Sequence, residues 1–223
     1  MTRAVLLDAL GTLVRLEPPA PRLRAELAAR GFEVGAEAAE RAFAAEIAYY
    51  LEHHTDGRDA STLAELRNRC AGVLADALGV PALPVAEARE AMLAAIRFEP
   101  FADAAPALRE LRARGLRLVV ASNWDCSLPE VLERAGLAAL VDGVVSSAQA
   151  GVRKPDPRLF EAALAAAGCG PDEAVHAGDS LDNDVAGAIA AGIRPVLVDR
   201  DGTGEPPAGV PVIARLGELA ALI

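Results

Sequence analysis

Cysteine is scarce in this chain of 223 residues, with only Cys70, Cys126 and Cys169, widely spaced and forming no C-x-x-C pair. An odd, sparse set excludes a disulfide framework and fits reduced thiols in a cytoplasm. No run of about 18 apolar residues occurs, which excludes a membrane-spanning helix. The opening residues, MTRAVLLDALGTL, hold no apolar stretch of signal-peptide length. Basic tracts are missing too: 22 Lys+Arg stand against 32 Asp+Glu, a formal net charge of −10. That balance argues against duplex nucleic acid or an anionic membrane as the main partner. Disorder is excluded in turn, because 52% of the residues are hydrophobic and only 24% charged. The expectation is a soluble cytoplasmic protein acting on a small molecule, a monomer or homodimer, with no nucleic-acid or membrane partner.

Lysine is the rarest absence of all. Lys154 is the only one in the chain, and the other 21 cationic residues are arginine. A compositional drift that puts guanidinium wherever it will serve leaves an ammonium where a compact point charge is needed. Lys154 is singled out on that ground.

Short apolar runs alternate with helical patterns. Val5–Leu7, Leu116–Ala121, Leu140–Val145, Ala174–Ala177 and Pro195–Val198 are continuous apolar stretches, as buried parallel strands are. Between them, Ser127–Ala135, Pro157–Ala167 and Asp182–Ala191 have the length and composition of helices, and several end at a glycine suited to a left-handed cap. This alternation predicts an α/β fold with a doubly wound parallel sheet. From about Pro21 to Arg97 no strand pattern occurs, only Ala/Leu/Glu/Arg-rich helical sequence broken near His54–Asp59 and Gly79–Pro84. The sheet is therefore expected to be interrupted after its first strand by an all-helical insert. The expected division is a core of residues 1–16 and 98–223 and a helical domain of residues 17–97. Thr203–Gly209 reads as a surface loop and Ala214–Ile223 as a short closing helix.

Open α/β sheets bind ligands at the carboxyl ends of their strands, and the polar residues of this chain gather there. Asp8 follows the first run, in DALGTL, and Ser122-Asn123 follow the second. Lys154-Pro155-Asp156-Pro157 precede a helix. Gly178-Asp179 end the fourth run, with Asp182 and Asp184 beyond. Asp8 and Asp179 on neighbouring strand ends would suit Mg²⁺, which takes a few carboxylates, a carbonyl and water. A cation there would let the Asp8 carboxylate attack a phosphoryl group, while Ser122, the Asn123 amide and Lys154 stabilise the developing charge.

The order D-x-x-G-T-L, S-N, K-P-D-P and G-D-x-x-x-x-D, spanning Asp8 to Asp184, resembles the haloacid dehalogenase-like (HAD) hydrolase superfamily. The helical insert stands where the cap of its subfamily I belongs, and the first motif is closest to the REG-2-like group of subfamily IA. The resemblance implies a Rossmann-like core with an inserted helical cap, an aspartyl nucleophile at Asp8 and a Mg²⁺ site using Asp8 and Asp179, with Asp184 supporting. Catalytic roles are then expected for Asp8, Lys154 and Ser122, and substrate contacts for Thr12, Ser122, Asn123 and Lys154. The metal set is expected to be Asp8, Asp179, Asp184 and the carbonyl of Leu10.

Leu10 departs from the family's commoner pattern, in which phosphatases carry a second aspartate, as general acid and base, two residues after the nucleophile. Such help is typically worth about 10²–10⁴-fold in rate. A phosphatase lacking it is expected to favour good leaving groups. Dehalogenases of the family need no acid there, and a metal-independent 2-haloacid dehalogenase is the first alternative. That branch, however, carries S-S-N-x-x-D where this chain has GDSLDND, and a tyrosine where it has Phe160. Phosphonoacetaldehyde hydrolases use a cap lysine, and this insert has none. A binding protein that keeps the pocket without turnover is the second alternative, favoured by Leu10. The leading expectation is a Mg²⁺-dependent phosphatase of a small phosphate ester working through an aspartyl-phosphate at Asp8.

Other residues invite plainer readings. Asp182 caps a helix, Trp124 packs, and His176 lies inside a strand as a satisfied core residue. Helical spacing sets Tyr49 with His53 and Tyr50 with His54, either as one buried and one solvated face or as a specificity patch. Arg58 and Arg67 are candidates for binding a substrate carboxylate.

Overall fold

A computed structural model describes all residues, 1–223. In chain order the elements are β1 (Ala4–Leu7), β2 (Val14–Leu16), α1 (Pro19–Ala29), α2 (Ala36–His53), α3 (Ala60–Leu78), α4 (Val85–Ala95) and β3 (Phe98–Pro100). They continue with α5 (Ala104–Ala113), β4 (Arg117–Ser122), α6 (Leu128–Arg134), β5 (Gly143–Ser146), α7 (Ser147–Ala150) and α8 (Pro157–Ala167). The last are β6 (Ala174–Gly178), α9 (Ala186–Ala190), β7 (Arg194–Val198) and β8 (Val212–Ile213). The chain divides into two compact units, Met1–Arg15 with Glu99–Ile223, and Leu16–Phe98.

The first unit is a six-stranded sheet ordered β5-β4-β1-β6-β7-β8, every pair parallel. It is the doubly wound, Rossmann-like α/β core that the apolar runs imply. All four residues of β1 and all five of β6 are buried, because parallel strands between helical layers have no solvent face. Phe160, Ala163, Leu164 and Ala167 of α8 pack with Leu6, Val119 and Ala174 in one cluster. The strand order sets where the polar residues emerge. β1 lies between β4 and β6, with Leu7 level with both Val120 and Ala177. Asp8, Ser122 and Asp179 thus leave the sheet side by side.

The structure departs from the apolar pattern in three places. Leu140 closes a short 3₁₀ turn, and β5 begins only at Gly143. A Cβ at Gly143 would meet the Val119 and Ala166 side chains at ordinary contact distance. β2 and β3 pair with each other as three-residue strands, too short to show a period. β8 has two residues and pairs beside β7 at the sheet edge.

The second unit is helical apart from its end residues, Leu16 of β2 and Phe98 of β3. Asp59 caps α3 in a reciprocal box with Thr62, and Gly79 closes it at φ 67°, which satisfies orphan groups at both ends. Its core is mostly alanine and leucine, and two polar residues are buried in it: His54, and Glu46 of α2, the latter 4% exposed. Burial pushes the Glu46 carboxyl up from 4.5, opposed by a hydrogen bond with Cys70. A carboxyl raised on folding stabilises the fold while protonated and loses that contribution as pH rises through its folded value. Glu46→Gln keeps the shape without the charge. We expect it to raise the thermal midpoint at pH 8 and to match wild type near pH 4, below the unfolded value. Equal midpoints at both pH values would show that Glu46 carries no such penalty.

Candidate active site

β1 delivers Asp8 to the carboxyl edge of the sheet, where it is 5% exposed. Its Oδ1 accepts two hydrogen bonds, from Ser122 Oγ at 2.9 Å and from Lys154 Nζ at 2.5 Å. Lys154 also donates to Asp184 Oδ1 at 2.6 Å, so one buried ammonium is shared by two carboxylates. Asp184 is in turn fixed by His176 Nε2 at 2.8 Å on Oδ1 and by the Ser180 amide at 3.0 Å on Oδ2. One carboxylate oxygen from each of Asp8, Asp179 and Asp184 lies within 4.8 Å of the other two.

The backbone builds this cluster by removing side chains. Gly11 has φ 80°, a left-handed conformation, and a Cβ there would overlap the Asp179 carboxylate. A Cβ on Gly178 would overlap Asp184. Asp184 itself projects from a wide turn, Leu181–Val185, that precedes α9. Asn123 acts at one remove from the cluster. Its amide donates to the Lys154 carbonyl at 3.1 Å and accepts from the Lys154 N–H at 2.7 Å, so it clasps the backbone that carries the lysine.

The charges are unequal in their company. Burial by itself would lower the pKa of Lys154, yet Asp184 and Asp8 outweigh it and hold the ammonium above its usual range. Burial alone would raise Asp184, but Lys154 and His176 bring it below the usual carboxylate range. Asp8 moves up, driven first by burial, against Lys154 and Ser122, with the Asp184 charge adding to the rise. Asp179, exposed at the rim, is pushed up to about 7 by desolvation of its carboxyl and by the charges of Asp8 and Asp184. Beside Asp179 and Asp182 a depression of about 320 Å³ opens on the same unit.

The structure brings Asp8, Ser122, Lys154, Asp179 and Asp184 together. Thr12 is fully buried just after Asp8, its Oγ1 without a hydrogen-bond partner, and Leu10 is 40% exposed. Asp182 is exposed and outside the cluster. His176 is the residue that the sequence reading misses: fully buried, it reaches Asp184 directly. The sequence does hold a signal, since strand alternation puts His176 on the same face as Gly178, whose missing side chain makes room for Asp184. Phe160 stands edge-on to the His176 ring, centroids 5.0 Å apart. Arg200, also unforeseen, donates to the carbonyls of Gly11 and Thr12.

Comparison with known proteins gives this geometry a family. The profile of the haloacid dehalogenase-like hydrolases matches residues 2–192. The chain is 43% identical over 124 residues to a phosphoserine phosphatase of Thermus thermophilus, covering 55% of this chain and 49% of that protein. It is 39% identical over 103 residues to a glyceraldehyde 3-phosphate phosphatase of Methanopyrus kandleri, covering 46% of this chain and 44% of the relative. The chain thus spans about half the length of these relatives. Among solved structures it resembles a 2-haloacid dehalogenase of Pseudomonas syringae at 25% identity, with a TM-score of 0.70 over 100% of this chain and 98% of that one. No helix is long and apolar enough to cross a membrane. With its family's profile covering the carboxylate cluster in full and every strand up to β6, the chain belongs to the haloacid dehalogenase-like hydrolases.

Proposed function

We propose that this hydrolase is a Mg²⁺-dependent phosphatase of a small phosphate monoester, with Asp8 as nucleophile. The observation that carries this reading is Asp179, an exposed carboxyl set within 4.8 Å of two others and pushed up to about 7 by desolvation and by their charge. Three carboxylates beside one lysine leave two negative charges unmatched, and an all-oxygen donor set fits a hard divalent cation. Asp8, Asp179 and the Leu10 carbonyl would hold it, with Asp184 behind them. When bound, it would supply the positive charge that keeps Asp8 ionised and receives an anionic substrate.

The chain's own residues account for the rest. Ser122 and Lys154 both take Oδ1 of Asp8, which leaves Oδ2 with its lone pairs for attack on phosphorus. As the Oδ2–P bond forms, the bond from phosphorus to the ester oxygen breaks and its electron pair leaves with that oxygen. Lys154 is held charged by Asp8 and Asp184, so it supplies a fixed positive field and not a proton. Water then attacks the phosphorus of the aspartyl-phosphate: the Oδ2–P bond breaks with its electron pair returning to Asp8, the proton lost by the water neutralises the departed oxyanion through solvent, and phosphate is released. The leaving oxygen meets no acid at position 10, so an aryloxide departs more readily than an alkoxide. The helical unit, residues 16–98, we assign as the family's substrate-selecting cap. The phosphatases among its relatives support the class of reaction.

A dehalogenase is the second reading, favoured by Leu10 and by the likeness to the Pseudomonas syringae enzyme. Asp179 stands against it, and Phe160 is packed against His176 without a hydroxyl. Turnover of an aryl phosphate with and without Mg²⁺, beside halide release from 2-chloropropionate, separates the two. We expect Mg²⁺-dependent aryl phosphatase activity that Asp8→Asn abolishes, and no halide. Halide release without metal would replace this reading by the second.

Leu10→Asp restores an acid at a half-exposed position where its charge is not forced into the core. Alkyl phosphate turnover should rise by about 10²-fold, the lower end of general acid catalysis, with a smaller gain on aryl phosphate. Equal gains on both substrates would show that proton delivery to the leaving group is not what the leucine costs.

A further inference from the structure

Arg200 follows β7 and is tied to the segment that carries the nucleophile. Its Nε donates to the Gly11 carbonyl at 3.2 Å, Nη2 to the Thr12 carbonyl at 2.8 Å, and Nη1 to Asp103 Oδ2 at 3.1 Å. The guanidinium lies over the Phe101 ring, 3.7 Å from its centroid. Asp103 is fixed in its turn, since the same oxygen accepts from the Leu216 amide at 2.8 Å. Three differently directed N–H groups, a stacked face and a paired charge use the geometry of a planar fork. An ammonium could satisfy only part of it.

We infer that Arg200 is a positioning residue of the active site, setting the backbone after Asp8 by clasping the Gly11 and Thr12 carbonyls. Gly11 is the link to the chemistry. It turns through the left-handed region with no room for a Cβ because the Asp179 carboxylate fills that space. A shift of Gly11 therefore moves it towards or away from Asp179. The turn is otherwise held by a few backbone bonds: Gly11 N–H to the Val14 carbonyl at 2.8 Å, the Leu13 and Val14 amides to the Ala9 carbonyl at 2.8 and 2.9 Å, and the Phe101 amide to the Leu13 carbonyl at 3.0 Å. Arg200 grips the two peptides that follow Leu10, from outside the cluster and without touching a carboxylate of it. Its consequence for turnover rests on the proposal that Asp8 is the nucleophile. Its hold on the turn does not.

The test uses Arg200→Ala and Arg200→Lys in the full chain, read by backbone hydrogen exchange and by kcat and KM for aryl phosphate with Mg²⁺. Both variants should exchange faster at Gly11, Leu13 and Val14, with β4 and β6 unchanged. Displacing a catalytic loop by a fraction of an ångström, or losing an outer partner of a metal site, typically costs about 10- to 100-fold. We expect kcat to fall by about that factor and KM to change little. Millimolar guanidinium chloride should return Arg200→Ala towards wild type in both readouts, and leave Arg200→Lys and wild type unmoved. Should Arg200→Ala fail to fold, Arg200→Lys is judged by the same exchange pattern. Exchange that rises evenly over the core strands, or not at all, would overturn the inference and make Arg200 a general staple. A wild type inactive on every phosphate would end the phosphatase reading, while the exchange pattern would still decide the hold on the turn.

Discussion

The site depends on one buried cation shared by two carboxylates. Lys154 is 2% exposed and touches Asp8 and Asp184 at 2.5 and 2.6 Å. A charge so enclosed is tolerated only while its partners are in place. Removing one side of such a pair costs about 3–5 kcal/mol, because the other is left buried and unmatched. The rest of the architecture answers to that requirement. Asp8 must leave β1, Asp184 must come back from the turn after β6, and the lysine must reach between them from the loop before α8. Asn123, just beyond β4, holds that loop by both backbone groups of Lys154. A sheet with β1 between β4 and β6 places all three attachment points together. The compactness of the contact also explains why an arginine-rich chain keeps one lysine: two oxygens at these distances converge on a single nitrogen, which a wide guanidinium would force apart.

Much of this is legible in the sequence, and the failures share a cause. β1, β4, β6 and β7 appear as apolar runs because buried parallel strands need apolar residues on both faces. The residues at their ends stand out because little else there is polar. What sequence does not supply is contact between distant segments. β2 and β3 exist because they pair with each other, and three residues carry no period. From sequence, Asn123 is expected to offer an amide to substrate. Its side chain has a different task, visible only once Lys154 is seen opposite it. Arg200 is one arginine among 21, and nothing local distinguishes it from those that lie on the surface. His176 is the instructive case. A polar residue in an apolar strand reads as a satisfied core residue, and that reading hides a hydrogen bond to the carboxylate cluster.

His176 also shows that the site is not optimised for stability. Its Nε2 engages Asp184, while Nδ1 is buried with no partner. A buried polar atom left unsatisfied costs roughly 1–3 kcal/mol. A leucine or phenylalanine in that strand would avoid the cost. It would also leave Asp184 with one donor fewer against the same desolvation, and so with a weaker claim to its negative charge. The imidazole thus offsets a local loss by keeping Asp184 ionised, which in turn keeps Lys154 charged and in place.

The unequal supply of donors decides where the charge imbalance falls. Asp184 has Lys154, His176 and the Ser180 amide; Asp8 has Lys154 and Ser122. Asp179 is raised first by desolvation and then by the charges of both, against only its own backbone amide and the Lys154 charge, and it is the exposed member of the three. Burying Asp179 further would force it neutral, and giving it a lysine of its own would satisfy it. The fold does neither. By setting one carboxyl at the rim beside two that share Lys154, it concentrates the unmatched negative charge at the entrance to the site. If the proposed Mg²⁺ binds, it would meet that charge with part of its hydration shell intact, as the ion prefers.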